Sequence, residues 1–301
     1  GASATPGCCW FSLRLCSSVS SIFDSRGHRF SCRARLELPQ RIVNGVDRRA
    51  APDEDACVKI DCHVHMLPFG GGDDGFLLSR GFRALGQRLL VKRLGLGAVR
   101  DPAKRERFYE DGLAALVRES ELDCAVLLAL DAVHDPNGEP RPGDTMLYAS
   151  NDRVQTTCAR HGDAFLFGAS VHPYRADALD ELDRVASLGA VLVKLLPNSQ
   201  AFDPAAPRLL PYWRKLADLD LPLLIHCGFE HTLPAIDQAF GDPARLVPCL
   251  EEGATVIVAH GGSAGRFHAR ETFGGFLRLL ERFPRCYGDT SALANWWRSK
   301  Y

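Results

Sequence analysis

His63 and His65, in the run Lys59-Ile60-Asp61-Cys62-His63-Val64-His65, are the side chains best suited by type and spacing to do chemistry. Residues i and i+2 of a strand point to one side, about 6–7 Å apart along it, so the two imidazoles converge. Neutral imidazole is the commonest protein ligand for zinc and its neighbours, so the pair suits one divalent metal. Other reactive groups recur where apolar runs stop. His172 follows Ser170-Val171, Lys194 ends Val191-Leu192-Val193, and His226 ends Leu223-Leu224-Ile225. His260 ends Val256-Ile257-Val258-Ala259, and Asp289 ends Tyr287-Gly288. A lone histidine at a strand end is usually a hydrogen-bonded structural residue, and a lysine there is usually solvated. Accidents would scatter along the runs, whereas these groups gather at their carboxyl ends.

The elements that must position them are repeated βα units. Strands are expected at Cys57–His63, Cys124–Leu130, Phe165–Val171, Ala190–Leu196, Pro222–Cys227, Thr255–Ala259 and Arg285–Asp289. Helices between them include Asp177–Leu188, Leu209–Asp218, Ala244–Glu252 and Gly275–Phe283. Alternation of this kind implies a parallel sheet, and a (β/α)8 barrel carries its active site at the carboxyl face of the strands. Only seven strands are read, so the expected fold is an α/β, TIM-barrel-like domain with seven of eight barrel strands. Such a sheet leaves its first and last edges unclosed.

The folded unit is expected to span residues 56–301. Within it, residues 70–101 read as a lid-like insertion that opens on Gly70-Gly71-Gly72 and contains a helix over Phe76–Leu94. The glycine run lacks the Gly-Lys-Ser/Thr ending of a nucleotide loop. Residues 1–55 carry eight arginines and no lysine, with few acids. This segment reads as an extension outside the folded unit, with an organelle transit segment as the alternative. Its Cys8, Cys9, Cys16 and Cys32 lack zinc-ligand spacing.

The net charge of −1 gives no pull toward nucleic acid or anionic membrane, and no run is apolar enough to span a bilayer. Eleven cysteines without a Cys-x-x-Cys pair point to reduced thiols and a cytoplasmic protein. Cys62 and Cys227 should face away from their neighbouring histidines and be buried. The expected partner is a small-molecule substrate, with no nucleic acid and no membrane; a homo-oligomer is compatible with the sequence.

The blocks Ile60-Asp61-Cys62-His63-Val64-His65, Val193-Lys194-Leu195-Leu196-Pro197, Leu224-Ile225-His226-Cys227-Gly228, Val258-Ala259-His260-Gly261-Gly262 and Tyr287-Gly288-Asp289-Thr290-Ser291 together resemble the amidohydrolase superfamily, in its amidohydrolase family 2 branch of metal-dependent hydrolases and decarboxylases. The resemblance implies His63, His65 and His226 as metal ligands, with zinc first and manganese or iron as alternatives. It places His260 beside the reacting water or the substrate. Lys194 falls where some members carry a carbamylated lysine and others hold substrate. His172, Arg175 and Asp289 are candidates for substrate contact. The implied chemistry is attack of an activated water on an amide, ester or lactone carbonyl, with non-oxidative decarboxylation as the alternative.

One departure matters. The family's further ligand is an aspartate in a Gly-Ser/Thr-Asp-x-Pro block on an eighth strand, and no such block occurs; Ala292–Lys300 reads as a helix instead. The expectation is therefore a barrel cut before strand eight. It would retain some metal affinity and lose about 10²–10⁴-fold in turnover with the missing acid–base group. A non-catalytic fragment or binding scaffold is the competing class, and a nucleic-acid hydrolase on the same barrel is disfavoured by the neutral charge.

Overall fold

The computed structural model describes residues 59–67, 76–78, 99–230, 233–262, 269–289 and 291. Its strands are β1 (Ile60–His65), β2 (Phe76–Leu78), β3 (Cys124–Leu128), β4 (Leu147–Ala149), β5 (Phe165–Ala169), β6 (Leu192–Leu195), β7 (Leu223–His226), β8 (Val256–Ala259) and β9 (Cys286–Gly288). The helices are α1 (Pro102–Arg118), α2 (Asn151–Arg160), α3 (Ala178–Ser187), the single turn α4 (Pro197–Gln200), α5 (Leu210–Asp218), α6 (Val247–Glu251) and α7 (Ala269–Arg282).

Seven strands form one parallel sheet in the order β1-β3-β5-β6-β7-β8-β9, curled into a half-barrel with helices outside it. Each of the seven expected strands is present within a few residues, so the α/β, TIM-barrel-like expectation holds. The Phe76–Leu94 expectation needs correction. Phe76–Leu78 is a strand, antiparallel to β4, which tertiary pairing imposes on a sequence whose local pattern reads as helix. The rest of that segment, the 1–55 extension and the 292–300 helix lie outside the described residues.

The sheet separates two apolar layers. On the helix side, Phe165, Phe167, Val193, Leu195, Leu223, Ile225, Val256 and Val258 pack against Tyr109, Leu182, Trp213 and Phe276. On the concave side a smaller cluster is built from the strands themselves: Ile60, Cys62, Cys124, Val126, Leu128, Leu166, Leu192, Leu224 and Ile257. This is the period-2 alternation of a strand buried on both faces. The interior is tight enough that a Cβ on Gly168 would lie 2.6 Å from Leu128 Cδ2 and 2.8 Å from Val126 Cγ1, so only glycine fits there. Helix starts are built locally. Asp101 accepts from the amides of Ala103 and Lys104 ahead of Pro102, and Ser150 accepts from Arg153.

Candidate metal centre

The concave face decides which side chains meet. Lys194 pairs with Leu224 and His226 with Ala259, both neighbours belonging to the interior cluster, so each points inward above an apolar floor. Asp289 follows Tyr287, which also packs on that cluster, by two residues. Curling of the sheet then brings the carboxyl ends of its two edge strands together. His63 Nδ1 lies 2.7 Å from Asp289 Oδ2, although β1 and β9 share no backbone pairing among the described residues.

Four imidazoles gather at this end. Ring centroids are 5.2 Å apart for His63 and His65, 5.0 Å for His63 and His260, and 5.3 Å for His226 and His260. Three of the rings have Nδ1 beside an acceptor: Asp289 for His63, Glu230 Oε2 at 3.4 Å for His226, and the Ser291 carbonyl at 2.9 Å for His260. An acceptor at Nδ1 fixes the proton there and leaves the lone pair on Nε2, the arrangement by which carboxylates orient metal-bound histidines. Burial pushes His63 down and His65 well down from the ordinary histidine value, so both are neutral donors at pH 7.

Asp289 organises this cluster. Its Oδ1 accepts from the His260 amide at 2.8 Å, the Ser291 amide at 3.0 Å and Ser291 Oγ at 2.5 Å, and its Oδ2 faces His63. Burial works to raise its carboxyl, but the His63 hydrogen bond and the neighbouring imidazoles outweigh it and hold Asp289 well below the usual range. His260, whose amide donates to Asp289, lies in the left-handed region at φ 58, which costs a non-glycine residue about 1–3 kcal/mol and is found preferentially at functional sites. The ligand atoms of His63, His260 and Asp289 lie within 4.8 Å of one another, close enough to share an ion.

Lys194 is 1 % exposed and its Nζ makes no hydrogen bond among the described residues. Burial lowers its ammonium to about 8, against the pull of Asp289 and Glu230. A buried ammonium without a hydrogen-bond partner is costly, so its place among these carboxylates and imidazoles calls for a further acceptor in the site. Four nitrogen donors with carboxylate support fit a divalent ion of the zinc, manganese or iron kind.

Two expected contacts lie elsewhere. His172 is fully buried, its Nδ1 accepting from the Tyr174 amide at 3.1 Å and its Nε2 donating to the Gln200 carbonyl at 2.7 Å. Arg175 is paired with Asp177 at 2.8 Å and Asp131 at 3.3 Å, on the wall of a different polar cavity of about 200 Å³ that also involves Asn151, Glu181 and Arg184. Cys227 lies in the helix-side layer as expected, but Cys62 does not face away: it sits in the interior cluster. It shares the interior face with Ile60, and a bulge in β1 brings the histidines to that same face. Glu230 and Ser291 were not singled out from sequence; the only available cue was a polar residue soon after a strand-end ligand.

A family model described as Amidohydrolase matches residues 60–300. The chain belongs to the amidohydrolase family. A search among curated protein sequences finds no match. Among solved structures, an uncharacterised TIM-barrel protein of Bordetella bronchiseptica aligns with a TM-score of 0.53 at 16% identity, over 80% of this chain and 78% of that one. A candidate 2-pyrone-4,6-dicarboxylic acid hydrolase of Pseudomonas putida gives 0.45 at 15% identity, over 80% and 71% of the two chains. The 5-carboxyvanillate decarboxylase of Sphingomonas paucimobilis gives 0.39 at 15% identity, over 67% of each. The first likeness shows the fold; the others are too distant to bear on the reaction. Membership makes the chain part of a family of metal-dependent enzymes, hydrolases and decarboxylases among them. No described helix is long and apolar enough to cross a membrane.

Proposed function

We propose that this amidohydrolase-family protein is a metal-dependent hydrolase of a small organic substrate. The observation that carries the reading is the convergence of four imidazoles at the carboxyl ends of β1, β7 and β8, three of them with an acceptor at Nδ1. His63, His65 and His226 would hold the ion, zinc first, with the acceptors at Nδ1 of His63 and His226 directing Nε2 of those two rings toward it. Bound there, the ion supplies a nucleophile at neutral pH and a Lewis acid for a carbonyl.

The chain's own groups do the rest. His260, with Nδ1 beside the Ser291 carbonyl, would take the proton of the attacking water and pass it to the leaving group. Lys194 Nζ donates to the oxygen that becomes negative as the carbonyl is attacked. Asp289 keeps His63 and the His260 backbone in register. His172 and Arg175 are assigned to the scaffold, because their polar atoms are already engaged.

The test is metal analysis and activation. Protein stripped with a chelator and reloaded with zinc, manganese or iron(II) is expected to hold one or two ions per chain and to hydrolyse members of a panel of small amides, esters and lactones. Failure to bind any of the three ions would refute the reading. Carbon dioxide release from an aromatic or unsaturated acid, without ester or lactone hydrolysis, would assign the decarboxylase chemistry instead.

A further inference from the structure

The pairing of β1 with β3 slips by one residue. Asp61 opposes Ala125 and Val64 opposes Leu127, so Cys62 and His63 together face the single residue Val126. This is a bulge, and its effect on direction is large. Below it Ile60 and Cys62 point into the interior cluster. Unbroken alternation from there would send Val64 inward and His63 and His65 toward the helices. After the bulge Val64 packs in the helix-side layer and His65 pairs with the inward-facing Leu128. A one-residue slip exchanges the two faces of a strand. The bulge thus converts a helix-facing His-x-His into a site-facing one.

A bulge leaves an amide outside the ladder, and that amide needs an acceptor. Here the acceptor is local: Asp61 Oδ1 receives the His63 N–H at 3.0 Å. The hydrogen bond spans two residues and closes around the extra residue itself. We infer that Asp61 is a positioning residue, whose carboxylate oxygen latches the β1 bulge and so turns the His63–His65 pair into the metal centre. The inference rests on the proposed metal centre for its consequence, but the latch itself is a property of the metal-free chain. What it requires of residue 61 is a short side chain with an acceptor oxygen, not a negative charge.

The experiment compares wild type, Asp61→Asn and Asp61→Ala in two measurements. The first is zinc affinity by chelator competition. Asn keeps the acceptor oxygen, so Asp61→Asn should bind within about 3-fold of wild type, while Asp61→Ala should bind about 10–100-fold more weakly, as for loss of other supports of metal ligands. The second is amide hydrogen exchange at His63 in metal-free protein, expected to be slow in wild type and Asp61→Asn and at least tenfold faster in Asp61→Ala. Equal zinc affinity in all three, or an Asn variant as weak as the Ala variant, would overturn the latch. If Asp61→Ala does not fold, Asp61→Asn decides alone: a tenfold loss of zinc affinity or of His63 protection overturns the inference. A wild type that binds no zinc would count against the proposed function, and the exchange measurement would still decide the latch.

Discussion

Replacing His172 by glutamine should remove a large part of the acid sensitivity of this fold. His172 is buried with its Nδ1 accepting the Tyr174 amide, so a second proton has nowhere to go without breaking that bond. Burial pushes its pKa from 6.5 to about 3. Between those values the unfolded chain binds a proton that the folded chain refuses, so stability falls as pH falls. At 1.36 kcal/mol for each pH unit, the full cost is about 5 kcal/mol, and about 2 kcal/mol is already lost between pH 6.5 and 5. A total stability of 5–15 kcal/mol makes that loss decisive. Glutamine cannot titrate. At pH 7 His172→Gln should be less stable than wild type, since it sacrifices the ring contacts with Tyr174 and Phe202. Urea unfolding at pH 7, 6 and 5 should show the gap between the two proteins narrowing by about 2 kcal/mol. A gap that stays constant across this range would refute the assignment of a neutral, structural His172.

Three further outcomes are expected. Asp289→Asn, which weakens the acceptor at His63 Nδ1, should lower zinc affinity about 10–100-fold by chelator competition while the metal-free protein keeps its fold. Gly288→Ala drives a Cβ into the ring of Phe276. It should cost about 1–3 kcal/mol in urea unfolding and also weaken zinc binding, because the strain falls one residue before Asp289. Trp213 is fully buried with its Nε1 donating to the Pro204 carbonyl at 3.2 Å. Trp213→Ala should therefore cost about 3–5 kcal/mol, with little effect on zinc affinity in whatever fraction remains folded.

Much of the architecture is legible in local pattern, because a parallel strand buried on both faces is written as a continuous apolar run bounded by turns. Val256-Ile257-Val258-Ala259 and Leu223-Leu224-Ile225 could hardly be anything else between helical stretches. Phe76–Leu78 was not legible, since its partner β4 is some 70 residues away and nothing in three residues announces an antiparallel pairing. The gathering of His226, His260 and Asp289 followed from topology: in a curled parallel sheet, strand ends share one rim. His172 satisfies the same positional rule yet has both ring nitrogens hydrogen-bonded within the fold. Position on the rim says where a side chain starts, whereas the Tyr174 amide and the Gln200 carbonyl that occupy its nitrogens come from the segments that follow β5 and β6.

The His-x-His pair shows where such reasoning stops and why. Alternation correctly keeps His63 and His65 together, because i and i+2 share a face in any register. It is silent about which face, and the apolar run before them points to the wrong one: Ile60 and Cys62 already occupy the interior positions. Two histidines facing the helices would be buried in an apolar layer without ligands to share. The fold avoids this with one surplus residue, whose amide is taken by an aspartate two positions earlier. An aspartate two residues before such a pair is ordinarily read as a further charge near the site. Its geometry here gives it a different task, since its charge matters less than the oxygen that keeps the strand out of step. The chemistry available at this rim therefore depends on an irregularity, which a reading based on regular periods must miss.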